Sequence, residues 1–176
     1  MYRQDFLILK LNKTLFIMIE ICRSQFKVEH IENYSFGNDK QGNNMQNNFF
    51  KVSKIFSKEI YGQSEFFLDY NSEIYKIQNE DILDVLIIGF SNQISDFNSF
   101  ELESNNENIN LIKEYIREFE YVMQGMIFHT GLEKNLFFFY TSFGGLILKF
   151  YSNRNYSKDP LLMDYNIFLF IRKAKV

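Results

Sequence analysis

Several residue types are scarce in this chain of 176 residues, and each scarcity excludes a class of structure. The single cysteine, Cys22, cannot form an internal disulfide, and with only two histidines, His30 and His129, no spacing suits a structural zinc site. A reducing compartment is therefore the natural interpretation. One proline and eight glycines leave most turns to Asn, Asp and Ser, whose side chains hydrogen-bond to nearby backbone.

Basic charge and long apolar runs are also scarce. The net charge of -3 and the pI near 5.5 disfavour a domain that binds nucleic acid by neutralising phosphates, because such binding depends on clustered Lys and Arg. Residues 15–22, LFIMIEIC, are the most apolar stretch near the start, but they are far shorter than a membrane span and contain Glu20. We predict neither a membrane anchor nor a secretory signal.

Hydrophobic residues, by contrast, make up 46% of the chain and aromatic residues 18%, which predicts a single folded domain with one core. We expect this domain to span residues 18–176. Residues 1–17 differ in pattern and are interpreted as an N-terminal extension or a misassigned start, since Met18 could itself begin the protein.

Two polar segments without periodicity are predicted to be loops. Residues 36–48 are rich in Asn and Gly, and residues 91–118 form a long, acidic loop that we expect to be mobile. At the end of the second loop the apolar residues recur at spacings of three and four, which predicts a short helix over residues 109–119.

Most other segments alternate apolar and polar residues with the period of a β-strand. The segments with this pattern are SQFKVEHI, FKVSKIFSK, SEFFLDY, DILDVLIIGF, YVMQGMIFHT, KNLFFFYTSFG, GLILKFYS and NIFLFIRKAK. Strands that follow one another without intervening helices indicate an antiparallel barrel or sandwich.

The late strands are apolar on both faces. In NLFFFYTSF, Leu136, Phe138 and Tyr140 share one face while the intervening phenylalanines share the other, and NIFLFIR has the same character. The inside of a barrel buries one face only, so the second face needs its own cover. A second sheet, a loop or another protein would each serve.

Candidate chemical groups do not assemble into an active site. Asp81 with Asp84, and Glu118 with Glu120, are possible carboxylate pairs, but Asp81 and Asp84 lie three apart and would point to opposite faces of a strand, and we interpret both pairs as solvated charges at strand ends. His129 and His30 have no partner at a catalytic spacing, and Cys22 is interpreted as a small buried residue. We predict no catalytic residue, no cofactor-binding residue and no metal ligand.

Two further motifs have simple structural interpretations. The glycine pair in SFGGL lacks the Lys-Ser/Thr pair and the helix of a phosphate-binding loop, so between two apolar strands it indicates a sharp bend, a bulge or the close approach of another backbone. The basic tail IRKAK, together with Lys149, Arg154 and the interleaved Phe150 and Tyr151, could form a stacking platform for single-stranded nucleic acid. A basic final strand also serves solubility alone.

Three segments carry a resemblance to a known family. FEYVMQG, YTSFGGLILKF and MDYNIFLFIRK resemble, in order and spacing, motifs of the eighth subunit shared by the three eukaryotic nuclear RNA polymerases. LDYNSEIY, residues 68–75, is similar to a further stretch of that family. The resemblance covers roughly residues 22–176. Lys76 stands where the family often has proline, and Phe143 where some members have tyrosine.

This resemblance implies an eight-stranded antiparallel β-barrel of the oligonucleotide/oligosaccharide-binding (OB) type. It also implies a nuclear, non-catalytic protein common to RNA polymerases I, II and III, which supports assembly of the enzyme by docking on its largest subunit. No cofactor, membrane or small-molecule substrate is implied, and direct contact with nucleic acid is not expected. A free-standing OB-type protein that binds single-stranded nucleic acid is the alternative.

The interface with the polymerase is predicted from the residues. We expect it on an outward face formed by Phe137 and Phe139, together with the bend that follows. The predicted interface residues are Phe137, Phe139, Ser142, Phe143, Gly144, Gly145 and Leu146. In this hypothesis EYVMQGMIF is a barrel strand that serves packing and docking, and Gly125 permits its curvature.

Overall fold

The computed structural model of the protein describes residues 6–11, 14–33, 51–90, 107–153 and 166–175. The predicted loop at residues 36–48, residues 91–106 of the predicted acidic loop, and Phe50 and Arg154 lie outside these ranges.

Nine strands and one helix form the described structure. The strands are β1 (Phe6–Leu11), β2 (Thr14–Asn33), β3 (Val52–Glu59), β4 (Glu65–Asn71), β5 (Ile82–Phe90), β6 (Tyr121–Glu133), β7 (Leu136–Phe143), β8 (Leu146–Ser152) and β9 (Asn166–Lys173). The helix α1 spans Glu107–Glu118, which confirms the predicted short helix and places its start two residues earlier.

Eight of these strands close into an antiparallel barrel. The strand order is β1-β2-β3-β4-β8-β7-β6-β9-β5, and a further pairing of β2 with β5 joins the two ends. Strand β1 stays outside the closed ring and pairs with β2 alone among the described strands. The predicted all-β, eight-stranded antiparallel barrel is thereby confirmed.

Strand β2 is unusually long, with 20 residues. Residues 14–19 of this strand pair with β1, residues 18–27 with β5, and residues 26–33 with β3. Register shifts after Glu20 and after Val28 mark bulges, which bend a strand and increase its twist. These bends let one continuous strand pair with β1, β5 and β3 in turn. The expected domain boundary at residue 18 falls inside this strand.

The barrel interior holds a continuous apolar core. Phe26, Phe66, Phe139 and Phe150 are among its largest rings, each at most 1% exposed. Phe139 and Phe150 stack with ring centroids 5.2 Å apart, and Phe26 meets Phe66 at 5.0 Å. These rings fill most of the interior, so the neighbouring strand β3 turns its smaller face inward: Ser53, Ile55 and Ser57 are buried.

A second, smaller core lies outside the barrel, beneath α1. Ile112 of the helix is 1% exposed and packs on the outer face of β5 and β9. The strand residues it covers are Leu86, Ile88, Phe90, Phe168 and Phe170. Tyr115 and Phe119 complete this cover, each with its ring within 6 Å of the Phe170 ring. The doubly apolar strand NIFLFIR is thus covered from within the chain.

Candidate functional site

The structure divides the predicted interface residues between the inside and the outside of the barrel. Phe137, Phe139 and Phe143 are 5%, 0% and 7% exposed and belong to the interior core. The interpretation that placed Phe137 and Phe139 on an outward face is wrong. Their neighbours Leu136 and Phe138 take the outer face instead, because successive strand residues point to opposite sides.

Gly144 and Gly145 form the tight turn that joins β7 to β8. Phe143 pairs with Leu146, so the turn has two central residues, and both have positive φ, 63° and 106°. This is the geometry of a two-residue hairpin, in which glycine is favoured at both positions. The N–H of Gly145 also donates to the Ser142 hydroxyl at 3.3 Å. The predicted bend is confirmed, and both glycines are exposed.

This hairpin fixes a lysine among aromatic rings on the outer surface. Tyr140 pairs with Lys149, and Phe138 with Tyr151. The Lys149 Nζ lies 4.6 Å from the ring centroid of Tyr151 and 5.2 Å from those of Phe138 and Tyr140. At these distances a cation is attracted to the ring faces. We call Lys149, Phe138, Tyr140, Tyr151 and Glu133 the lysine–aromatic cluster.

Glu133 balances the charge of this cluster. Its carboxylate accepts a hydrogen bond from the Tyr151 hydroxyl at 2.7 Å and faces Lys149 Nζ at 3.4 Å. The Tyr151 hydroxyl, with help from Lys149, lowers the pKa of Glu133. Burial lowers the pKa of Lys149, but hydrogen bonds to Tyr151, Tyr140 and Glu133 outweigh it and raise the pKa overall. The cluster is therefore an ion pair framed by rings.

The cluster belongs to a longer row of outward residues in direct register across six strands. Lys149 pairs with Phe67 on one side and Tyr140 on the other, and the row continues in both directions. In order from β2 to β6, its members are His30, Phe56, Phe67, Lys149, Tyr140 and His129. Phe56 and Phe67 stack at 4.7 Å. An aromatic outer face with few unpaired charges is typical of the centre of a protein interface.

The end of the row lies on β6, which carries exposed apolar side chains. Met126 is 49% exposed, Phe128 51% and Leu132 64%. A register shift between Ile127 and His129 marks a bulge at Phe128, whose ring lies 5.9 Å from that of Tyr140. The bulge lets both Phe128 and His129 remain at the surface while Ile127 is fully buried.

Gly125 brings β6 close to β7 beside this surface. A Cβ atom at Gly125 would lie 2.2 Å from the carbonyl oxygen of Ser142 and 2.6 Å from the ring of Phe143. Both distances are too short for any side chain to fit without moving the backbone. The close approach of another strand is therefore one reason for glycine at this position, and the prediction that Gly125 permits curvature stays a prediction.

The remaining candidate groups have structural roles. Asp84 pairs with Arg172 at 2.9 Å, and Asp81 with Lys173 at 2.7 Å, so the basic end of β9 is held against β5. The guanidinium of Arg172 also lies over the Phe119 ring, 5.0 Å from its centroid. Lys149 is likewise paired with Glu133, so three of the basic residues considered for a nucleic-acid platform, Lys149, Arg172 and Lys173, are held in ion pairs within the fold.

Glu120 connects three parts of the barrel. Its carboxylate accepts the backbone N–H of Lys173 at 3.0 Å and the hydroxyl of Tyr75 at 2.7 Å. The Lys173 N–H, followed by the Tyr75 hydroxyl, lowers the pKa of Glu120, while burial and the bond to Glu120 raise the pKa of Tyr75. The Tyr75 ring stacks on Tyr121 at 5.2 Å. Glu120 thus fixes an end of β9.

Cys22 is 6% exposed and belongs to the core, as predicted, while His30 and His129 lie at the surface. Within the described ranges, His, Cys, Asp and Glu do not gather into a group that could hold a metal ion. The same residues include no helix long and apolar enough to cross a membrane.

Sequence reasoning missed the lysine–aromatic cluster and the exposed end of β6. The signal for the cluster was available, because a two-residue turn at Gly144 and Gly145 fixes the register and pairs Tyr140 with Lys149. No comparable signal marked β6, because its bulge shifts the register by one residue.

Comparison with known proteins adds one finding. The family model described as RNA polymerase Rpb8 matches residues 38–173, which is more than three quarters of the chain. The matched range includes every strand from β3 to β9 and the helix α1. A search of curated proteins found no match.

Proposed function

The chain belongs to the RNA polymerase Rpb8 family and is accordingly an RNA polymerase subunit, and from that premise we propose its place in the enzyme. It is a non-catalytic nuclear subunit common to RNA polymerases I, II and III. It docks on the largest subunit and supports assembly and stability of the transcribing enzyme.

The docking proposal rests on the composition of the outer face of β6, β7 and β8. It combines the lysine–aromatic cluster, the exposed Met126 and Phe128, and the glycine turn in one continuous surface. Isolated exposed apolar residues are common, but a contiguous aromatic patch usually marks an interaction site. Of the predicted interface residues, Ser142, Gly144 and Gly145 remain in the proposal because they border this surface, whereas Leu146 packs against the interior core.

A non-catalytic role agrees with the chemistry of the described residues. Their carboxylates and basic groups pair with one another at strand ends, as Asp84 does with Arg172. The Lys149 ammonium is already paired with Glu133. This arrangement supports binding to a protein surface more than binding to phosphates, which requires free cations.

Affinity purification of the tagged chain from nuclear extract tests this proposal. We expect the largest subunits of all three polymerases to co-purify, as identified by mass spectrometry. Recovery of only one polymerase would overturn the common role, and recovery of none would overturn the docking role. Steeply salt-dependent binding of the free protein to single-stranded DNA would favour the nucleic-acid alternative.

A matched pair of variants locates the surface. Phe128→Glu places a charge at the centre of the proposed interface, and Tyr61→Glu places one on the β3–β4 connection, where Tyr61 is 90% exposed. Both variants should unfold at close to the wild-type temperature, since neither side chain is buried. We expect Phe128→Glu to lose co-purification and Tyr61→Glu to retain it; equal recovery would exclude this face.

A further inference from the structure

A groove lies on the outer face of β2, β5 and β9, beside the C-terminal end of α1. Its volume is about 220 Å³, and Arg23, Asp84, Phe119 and Arg172 are among the residues that line it. Gln25, Asp84 and Arg172 are in direct register across the three strands. Because β5 pairs here with β2 on one side and with β9 on the other, the floor of the groove is a continuous part of the described sheet.

Two arginines of the groove are held against aromatic rings. The guanidinium carbon of Arg23 lies 5.1 Å from the centroid of the Tyr115 ring, and that of Arg172 lies 5.0 Å from the centroid of the Phe119 ring. These two rings meet edge to face, with centroids 6.4 Å apart. A guanidinium that is already stacked on a ring loses less conformational freedom when it binds a further group. Both cations are therefore preorganised for binding.

The charges in the groove do not cancel. Arg172 Nε donates to Asp84 at 2.9 Å, while Arg23 donates to the carboxylate of Glu20 and to the Tyr115 hydroxyl. Glu20 does not line the groove, so two arginines face one aspartate there and leave a formal charge of +1. A guanidinium has five N–H donors, and contacts within the described ranges use one from Arg172 and two from Arg23. Both arginines can donate to a further acceptor.

We propose that this groove binds an acidic side chain, Asp or Glu, of another RNA polymerase chain. The carboxylate accepts hydrogen bonds from Arg23 and Arg172, with the paired geometry that guanidinium groups favour, and its methylene groups pack on Phe119. Sites for small molecules have volumes of about 300–1,000 Å³, so a groove of about 220 Å³ suits a side chain better. The inference rests on the proposed function, since it requires the chain to be held in a polymerase, but it uses a different face from that of β6, β7 and β8.

A nucleic-acid strand fits the groove less well. Binding to a phosphate backbone depends on a series of cations that follow the strand. The lysines next to the groove are already in ion pairs, Lys27 with Glu80 and Lys173 with Asp81. Asp84 also lies in the groove and would repel a phosphate. A single carboxylate needs only the two arginines, so the groove favours a protein partner.

A matched pair of variants on β2 tests the proposal. The side chains of Arg23 and Lys27 are 47% and 43% exposed, and each is in an ion pair, but only Arg23 lines the groove. We expect Arg23→Gln to lower the recovery of other polymerase chains on the tagged protein by on the order of tenfold, because the partner carboxylate loses a donor. Lys27→Gln should leave recovery unchanged. Equal recovery with the two variants would overturn the inference.

Photo-cross-linking identifies the occupant while both arginines remain in place, which matters because Arg23→Gln also removes a contact with α1. Gln25 lines the groove and is exposed, so a benzophenone amino acid can replace it. After irradiation of the purified polymerase, we expect a cross-link to a peptide of another polymerase chain that contains Asp or Glu. Changing that acidic residue to Arg together with Arg23→Glu should restore the recovery that either change alone lowers. Cross-links confined to peptides of this chain would assign the groove to its own residues and overturn the inference.

The outcomes separate this inference from the proposed function. If the wild-type chain recovers no polymerase subunit, the proposed function fails and this inference fails with it. If Phe128→Glu abolishes recovery and Arg23→Gln does not change it, the groove alone is excluded. If Arg23→Gln weakens binding of the free chain to single-stranded DNA and leaves polymerase recovery unchanged, the groove is a nucleic-acid site, and the inference is again overturned.

Discussion

Strands β5 and β9 and strands β6 and β7 both have apolar outer faces, but the two faces differ in what covers them. The outer face of β5 and β9 lies beneath α1, where Ile112 is 1% exposed. The outer face of β6 and β7 keeps Phe128 and Met126 about half exposed and pairs its rings with Lys149. The same sequence pattern thus serves an internal core in one place and a surface in the other.

This difference shows why a doubly apolar strand does not by itself predict an interface. Burying three phenylalanine side chains contributes several kcal/mol to stability, at roughly 25 cal/mol per Å² of apolar area. Helix α1 buries the outer face of β9. The outer face of β7 instead lies beside Lys149 and Tyr151 of β8 and stays partly exposed to solvent. Substitutions on both faces of these strands test the difference.

The largest expected effect concerns the inside of β7. Phe139→Ala removes a fully buried ring that stacks on Phe150, and we expect it to lower the free energy of unfolding by about 3–5 kcal/mol. Phe128→Ala on the outer side of β6 should cost less than about 1 kcal/mol. Urea unfolding of both variants measures the difference, and similar losses would contradict the assignment of the two sides.

The next effect concerns the helical cover. Ile112→Ala should lower the free energy of unfolding by about 2–4 kcal/mol, because it opens a cavity between α1 and the rings of Phe168 and Phe170. Ile116→Ala is the control on the same helix, since Ile116 is 40% exposed, and it should change stability by less than about 0.5 kcal/mol. Equal losses of stability for the two variants in thermal unfolding would contradict the assignment of Ile112 to a core between α1 and the barrel.

A smaller effect depends on pH. Because the folded state lowers the pKa of Glu120, this carboxylate stabilises the fold at neutral pH, and the contribution disappears as the pH falls through the lowered pKa. Glu120→Gln should therefore unfold at a lower urea concentration than the wild type at pH 7. Because the group is exposed, we expect the loss in the free energy of unfolding to be less than about 1 kcal/mol. The difference should shrink in acid. A difference that grows in acid would mean that folding raises the pKa of Glu120, which would contradict the prediction.

The smallest effect concerns the lysine–aromatic cluster. Lys149→Met keeps the length of the side chain but removes its charge, so it tests the cation–π contacts and the pair with Glu133. We expect a loss of less than about 1 kcal/mol that decreases with added salt, because the pair is partly exposed. Salt-titrated urea unfolding measures it, with Lys113→Met as the control at an exposed position of α1. A loss above about 2 kcal/mol would make the cluster part of the core.

Local patterns of the sequence predicted most of the barrel and the helix. The alternation in SEFFLDY correctly places Phe66, Leu68 and Tyr70 inside, and the spacing of Ile109 and Ile112 correctly indicates a helix. These predictions succeed because they depend on one element at a time. The glycine pair was equally local, and its turn is observed.

Features that depend on neighbouring strands could not be predicted in this way. On β7 both faces are apolar, so the alternation could not tell which side Phe139 would take. On β3 the serine side turns inward because adjacent rings fill the space, which no property of β3 alone reveals. The exposure of Phe128 on β6 likewise depends on the bulge between Ile127 and His129, which is defined only by the pairing of β6 with β7.

The position of β9 has a consequence for how the protein is made. This strand joins β5 to β6 within the ring, yet it is the last of the nine strands in chain order. While the ribosome is still translating, the earlier strands can form hairpins such as β7 with β8, but the ring has a gap of one strand. Closure must wait until residues 166–173 leave the exit tunnel, so the nascent chain exposes both flanks of that gap throughout synthesis.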